Sequence, residues 1–193
     1  SMCSGNSVGR DLVPHLRGVC PIVALQVTYG AYLLTDWSES RFRPDLICVN
    51  DEVGAQIVRK AWPDVSSDRI KITGYPALDR YSGYNVADVA AKTRQTLRLE
   101  SGKPIVLYCG QVARSGEVLQ EIVAVLNELG RDLYFIPRQH GRMTIDAPDQ
   151  LPYWQAALTD FKGGTLIKDT SAVETASLLA SADVVLSMYS MVL

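Results

Sequence analysis

Residues 104–130 read PIVLYCGQVARSGEVLQEIVAVLNELG, and this stretch decides the fold. The run 105–108 is continuously apolar, as expected for a strand of a parallel sheet that is covered by helices on both faces. A loop with two glycines follows. After it, apolar residues recur at helical spacing: Val118, Ile122, Val125, Leu126 and Leu129. Gly130 is well placed to end that helix. The stretch therefore predicts a buried strand, a tight turn and an amphipathic helix.

Similar signals recur along the rest of the chain. Further short apolar runs predict strands at 22–25, 46–49, 70–73, 133–136, 165–167 and 184–186. Between two of them, Asn50 is the predicted N-cap of a helix that buries Val53 and ends before Pro63. Later, Ser171 and Glu174 have the spacing of a capping box. This alternation predicts an α/β fold with one or two Rossmann-like parallel sheets and helices on both faces.

A change of pattern near the middle of the chain predicts a boundary. Residues 74–76 read GYP and end a predicted strand, and 81–85 are rich in turn-forming residues. A helical pattern at about 86–99 leads into SGKP at 101–104. We therefore expect a first lobe at 1–80, a connecting segment and helix at 81–103, and a second lobe at 104–193.

Composition narrows the class of protein. The 193 residues carry a formal net charge of −2, which argues against a dedicated nucleic-acid binder. No window approaches the roughly 20 apolar residues that a transmembrane helix needs. The four cysteines form no CxxC pair, and we expect free thiols in a reducing compartment, the cytoplasm. The two histidines are far apart and no HExxH or GxSxG occurs, so we expect no metal.

Three loops at predicted strand ends carry polar or glycine residues. Ligands of open parallel sheets bind beyond the carboxyl ends of the strands. The loop 109–116 leads into a helix N-terminus, which suits phosphate, although a plain tight turn explains it as well. The loop 137–142 carries Arg138, His140 and Arg142, which suit an anion, with solvated surface charge as the alternative. The stretch 187–190 offers hydroxyl groups.

The order of these motifs resembles the two-lobed, B-type glycosyltransferases. The resemblance is nearest to relatives of lipid-A-disaccharide synthase, glycerophosphotransferase and nonhydrolysing UDP-N-acetylglucosamine 2-epimerase. It rests on RPDLICVNDE at 43–52, IKITGYPALD at 70–79, PIVLYCG at 104–110, IPRQHGR at 136–142 and SADVVLSMYS at 181–190. Gly141 stands where the family's motif has a proline.

The resemblance implies a substrate and a site. A nucleotide-diphosphate sugar would be the substrate, without a further cofactor, and its nucleotide and diphosphate would lie near Gly110, Gln111, Arg138, His140 and Ser190. The lobe 1–80 would be the end portion of an N-terminal Rossmann-like lobe, and 104–193 the start of the nucleotide-binding lobe. The architecture would thus be incomplete, and no residue is assigned as the catalytic base.

Alternative functions remain open at this point. The chain is either a glycosyltransferase-like enzyme or fragment, or a non-catalytic nucleotide- or phosphate-binding module that assembles through exposed sheet edges. A third interpretation is a purely structural interaction protein. Because the chain stops close to its last predicted strand, we expect it to be inactive alone and to form a homo-oligomer.

Overall fold

The computed structural model describes residues 8–26 and 39–188 of the chain. The chain forms two compact units, Ser1–Gly83 and Tyr84–Leu193. Ser190, one of the predicted site residues, lies outside the described residues.

The first unit contains a small parallel sheet. Its elements are α1 (Val8–Leu16), β1 (Val23–Leu25), β2 (Leu46–Val49), α2 (Glu52–Ala61) and β3 (Ile70–Ile72), with 3₁₀ turns at Ser40–Phe42, Ser67–Arg69 and Pro76–Tyr81. The strand order is β1-β2-β3, and both pairings are parallel. Ile47 is the partner of Ala24 on one side and of Ile70 on the other.

Helix α2 packs on this sheet, with one correction to its predicted start. The N-cap is Asp51, not Asn50, and its carboxylate accepts the N–H of Gly54 at 2.8 Å. Val53 is therefore 57% exposed instead of buried, and the inward face consists of Gly54, Ala55 and Val58. The core around α2 consists of Phe42, Ile47, Val49, Ala55, Val58, Trp62, Val65 and Ile70.

The second unit contains a larger parallel sheet. Its elements are α3 (Val86–Thr96), β4 (Ile105–Cys109), α4 (Ser115–Leu129), β5 (Tyr134–Arg138), α5 (Met143–Asp146), α6 (Leu151–Asp160), β6 (Thr165–Leu166), α7 (Thr175–Ser181) and β7 (Val184–Ser187), with a 3₁₀ turn at Pro148–Gln150. The strand order is β6-β5-β4-β7, and every pairing is parallel.

Strand β4 shows why the sheet needs helices on both faces. All five of its residues are buried. Val106 and Tyr108 point to a core shared with α4 and α6, whereas the alternate residues of the strand, Ile105, Leu107 and Cys109, point to a core shared with α7. The continuous apolar run thus results from burial on both faces, which confirms the predicted fold class.

Two helix predictions for this unit need correction. Helix α4 ends as predicted at Gly130, which has φ 55°. Its buried face, however, is centred on Leu119, Val123 and Leu126, and Val125 and Leu129 are exposed. The predicted capping box at Ser171 and Glu174 is wrong. Helix α7 begins at Thr175, and both the N–H and the hydroxyl of Ser171 donate instead to Oδ1 of Asp169.

Three findings in the described residues concern membrane spans, cysteines and metal ions. None of the helices in the described part of the chain is long and apolar enough to cross a membrane. Cys20, Cys48 and Cys109 are free thiols. Within residues 8–26 and 39–188, no group of three or more His, Cys, Asp or Glu residues is arranged to hold a metal ion.

Candidate functional site

The strand order of the second sheet marks where a ligand would bind. From β4 the chain adds β5 and β6 on one side and then places β7 on the other side. In open α/β sheets, ligands lie beyond the carboxyl ends of the strands at such a reversal. In the described residues this edge is formed by the loops that follow β4, β5 and β6.

In the loop after β4, Gly110 allows the chain to pack closely on itself. Its N–H donates to the carbonyl of Arg138 at 2.8 Å. A Cβ atom at this position would lie 2.6 Å from Oγ of Ser115 and 2.8 Å from the ring of Trp154. The glycine is therefore required by internal packing, which accounts for it without a ligand.

The N-terminus of α4 is partly occupied by protein groups. The buried hydroxyl of Ser115 accepts the N–H of Gln111 at 3.0 Å. The N–H of Gly116 donates to the side-chain oxygen of Gln150 at 3.2 Å. Tyr108 donates its hydroxyl to the carbonyl of Ser115, and burial raises the pKa of this tyrosine. Backbone donors that the sequence suggested for phosphate thus serve the fold, and Gln111 is half-buried.

Arg138 ends β5 and is held in place by the loop between β6 and α7. Its Nη1 donates to Oγ1 of Thr170 at 3.2 Å and to the carbonyl of Val173 at 3.3 Å. Burial raises the pKa of the neighbouring Cys109 thiol, and the charge of Arg138 partly opposes that rise. Within the described residues, Nε and Nη2 of Arg138 make no hydrogen bond, so these donors are available to a ligand.

His140 and Arg142 differ from Arg138. Nδ1 of His140 accepts the N–H of Arg142 at 3.2 Å. The guanidinium of Arg142 forms a two-pronged ion pair with Asp146, at 2.8 Å and 3.1 Å. The side chain of Arg142 is thus exposed and already paired with Asp146, whereas the side chain of Arg138 is half-buried.

A cleft of about 450 Å³ opens at the carboxyl ends of β5 and β6. Its lining consists of Pro137, Arg138, Gln139, Trp154, Gln155, Leu158, Lys168, Asp169, Thr170 and Ser171. Of the predicted site residues in the described part of the chain, Arg138 lines this cleft, whereas Gly110, Gln111 and His140 do not. Sequence reasoning missed Lys168 and Thr170, although their position just after a predicted strand was a usable signal.

Hydrogen bonds order the floor of this cleft. Oδ1 of Asp169 accepts from the N–H of Ser171 at 2.9 Å and from its hydroxyl at 2.7 Å. These two bonds lower the pKa of Asp169, so the carboxylate is ionised at neutral pH. The cleft therefore combines two cations, Arg138 and Lys168, with one carboxylate that is engaged by its own loop.

Comparison with known proteins supports the fold. No protein-family model and no curated protein matches the sequence. Solved structures of the wall teichoic acid polymerase TagF are similar. One, a variant soaked with CDPG, is 20% identical with a TM-score of 0.51; another variant structure is 21% identical with a TM-score of 0.50. Each match covers 78% of this chain and 36% of the polymerase chain, so this chain spans about a third of its length. The chain therefore has a Rossmann-like α/β fold similar to that of part of the wall teichoic acid polymerase TagF.

Proposed function

We propose that the second unit binds the diphosphate of a nucleotide-activated sugar at the carboxyl ends of its strands. The observation that carries this proposal is the half-buried guanidinium of Arg138, which lines the cleft with Nε and Nη2 directed to no described protein acceptor. An arginine can grip a phosphate through two parallel hydrogen bonds. The fold likeness to a polymerase whose structure was determined after a CDPG soak supports the same ligand class.

The surroundings of Arg138 suit a diphosphate. Lys168 supplies a second cation to the same cleft, and in the described residues it forms no ion pair. Thr170 accepts a hydrogen bond from the guanidinium of Arg138. The Arg138 side chain is therefore already ordered and loses fewer rotamers when a ligand binds. Gly110, Gln111 and His140 do not line this cleft, and Ser190 lies outside the described residues, so their part in binding stays a prediction from the sequence.

The chemistry that this site serves is glycosyl transfer. In that reaction an acceptor hydroxyl oxygen forms a bond to the anomeric carbon of the sugar and gives its proton to a base. The bond between the sugar and the diphosphate breaks at the same time, and negative charge accumulates on the departing diphosphate. A fixed cation stabilises this charge more in the transition state than in the ground state, which is how it accelerates the step. We assign this role to Arg138 and assign no catalytic base.

Titration calorimetry of the full chain with CDP, UDP and their sugar derivatives tests the proposal. We expect saturable heat with a nucleoside diphosphate and a weaker response to the corresponding nucleoside, because the cations contact the diphosphate. Folded protein that gives no heat with any of these ligands at millimolar concentration would contradict the proposal.

A second candidate function is assembly through a sheet edge, and one observation favours it. Strand β7 is the last strand of the described sheet, with β4 on one side and no described strand on the other. Val184 in this strand is 48% exposed. Apolar edge strands recruit strands from other molecules, so self-association is expected of such a module.

A further inference from the structure

Asp169 places a carboxylate in the same cleft as the two cations, Arg138 and Lys168. Its two oxygens differ. Oδ1 accepts the N–H of Ser171 at 2.9 Å and the hydroxyl of Ser171 at 2.7 Å, so both lone pairs of this oxygen are used. In the part of the chain that the structure describes, Oδ2 has no hydrogen bond and no ion pair. One oxygen therefore orders the loop, and the other can accept a hydrogen bond from a ligand.

The carboxylate is close in the chain to both cations and is paired with neither. Asp169 lies between Lys168 and Thr170, and Thr170 accepts from Nη1 of Arg138 at 3.2 Å. Among residues 8–26 and 39–188, no ion pair joins Asp169 to Arg138 or Lys168. The bonds from the N–H and the hydroxyl of Ser171 lower the pKa of Asp169, so it keeps its charge at neutral pH.

This charge restricts which part of a ligand can lie against Asp169. A phosphate group would be repelled by the carboxylate, because both are negative. An ionised carboxylate only accepts hydrogen bonds, so the ligand must offer a donor there. In a nucleoside diphosphate, the 2′ and 3′ hydroxyl groups of the ribose are the donors nearest to the phosphates. They are neighbours on the ring, and Oδ2 has two lone pairs to accept from both.

We propose that Oδ2 of Asp169 accepts from the ribose hydroxyl groups of the nucleotide, so that the cleft selects ribonucleoside diphosphates over their deoxy analogues. This inference rests on the diphosphate site proposed above and adds a residue that determines its specificity. A ligand without these hydroxyl groups covers the carboxylate and gives it no donor, which costs more than the lost bonds alone.

Calorimetric titration of the full chain with CDP and with 2′,3′-dideoxy-CDP tests the inference, and this first comparison needs no variant. The two ligands carry the same diphosphate. In Asp169→Asn, the amide oxygen can still accept both bonds from Ser171, while an NH₂ donor replaces the available acceptor. The lost charge affects both ligands alike and cancels in the ratio of their affinities. Asp160→Asn, at the exposed end of α6 and outside the cleft, is the matched control.

We expect the wild type and Asp160→Asn to bind CDP roughly tenfold more tightly than the dideoxy analogue, as for one hydrogen bond to a charged group. In Asp169→Asn, most of this preference should disappear. A wild type that binds both ligands equally would overturn the inference and leave the diphosphate site standing. A preference that persists in Asp169→Asn would overturn it too, because another residue would then recognise the ribose. If neither ligand binds, the diphosphate site fails and this inference fails with it.

Discussion

Oγ1 of Thr170 accepts a hydrogen bond of 3.2 Å from Nη1 of Arg138, across the ends of two neighbouring strands. This bond orients the cation that we assign to the diphosphate. Replacement of Thr170 by Val keeps the shape of the side chain and removes the acceptor. We expect nucleoside diphosphate binding to weaken by about 0.5–1.5 kcal/mol, the value of one hydrogen bond. Calorimetry measures this loss.

The control for that substitution is Thr159→Val. The hydroxyl of Thr159 bonds to the carbonyl of Gln155 in its own helix and is exposed. We expect this variant to bind like the wild type. Equal affinities of both variants and the wild type would show that Thr170 does not orient Arg138 for the ligand.

The close packing at Gly110 predicts a loss of stability. In Gly110→Ala, the added methyl group would press on the side chains of Ser115 and Trp154. We expect the free energy of unfolding to fall by about 1–3 kcal/mol, as for an overpacked core. Urea denaturation measures it. Gly141→Ala is the matched control, because nothing lies within 4 Å of a Cβ there. A Gly110→Ala protein as stable as this control would refute the packing role.

The sequence predicted what depends on local patterns. In the described part of the chain, all seven strands lie within two residues of their predicted ends. For β4 and β5 the reason is that a continuous apolar run indicates burial on both faces of a sheet. The C-terminal end of α4 was also predictable, because Gly130 adopts the left-handed conformation that favours glycine.

What the sequence did not predict depends on contacts between distant segments. Gly110 suggested a phosphate loop, but the neighbour that explains it, Trp154, is 44 positions away in the chain. Ser171 is an exception, because a local contact explains it: its N–H and hydroxyl donate to the carboxylate of Asp169, two residues earlier, and the helix begins only at Thr175. Lys168 is a candidate ligand-binding residue only in the folded sheet. There the parallel pairing of β5 and β6 brings the loop after β6 beside Arg138.

The environments of the cysteines predict a difference in reactivity. Burial raises the pKa of Cys109, so the reactive thiolate is scarcer at neutral pH, and access to it is blocked. Cys20 is exposed. With a limiting amount of iodoacetamide on the native protein, peptide mass spectrometry should find Cys20 modified well before Cys109. If iodoacetamide modified Cys109 as fast in the native protein as in protein unfolded by urea, the burial of Cys109 would be contradicted.

The edge of the second sheet predicts self-association. A lysine at position 184 would place a charge on β7, and charged edge strands resist pairing. We expect Val184→Lys to shift sedimentation at micromolar concentration from a dimer towards a monomer. Val125→Lys, at an exposed valine on α4, should leave the distribution unchanged. A wild-type protein that is already monomeric would rule out assembly through this edge.

The comparison of Arg138→Ala with Arg142→Ala tests the central claim most directly. Both variants remove one cation at or just after the end of β5, but Arg138 lines the cleft, whereas Arg142 is paired with Asp146. In calorimetric titrations with CDP and UDP, we predict that Arg138→Ala weakens binding by about 1.5–3 kcal/mol, as for a charged hydrogen bond, and that Arg142→Ala has little effect. Equal affinities of the two variants would contradict the assignment of the diphosphate site to Arg138.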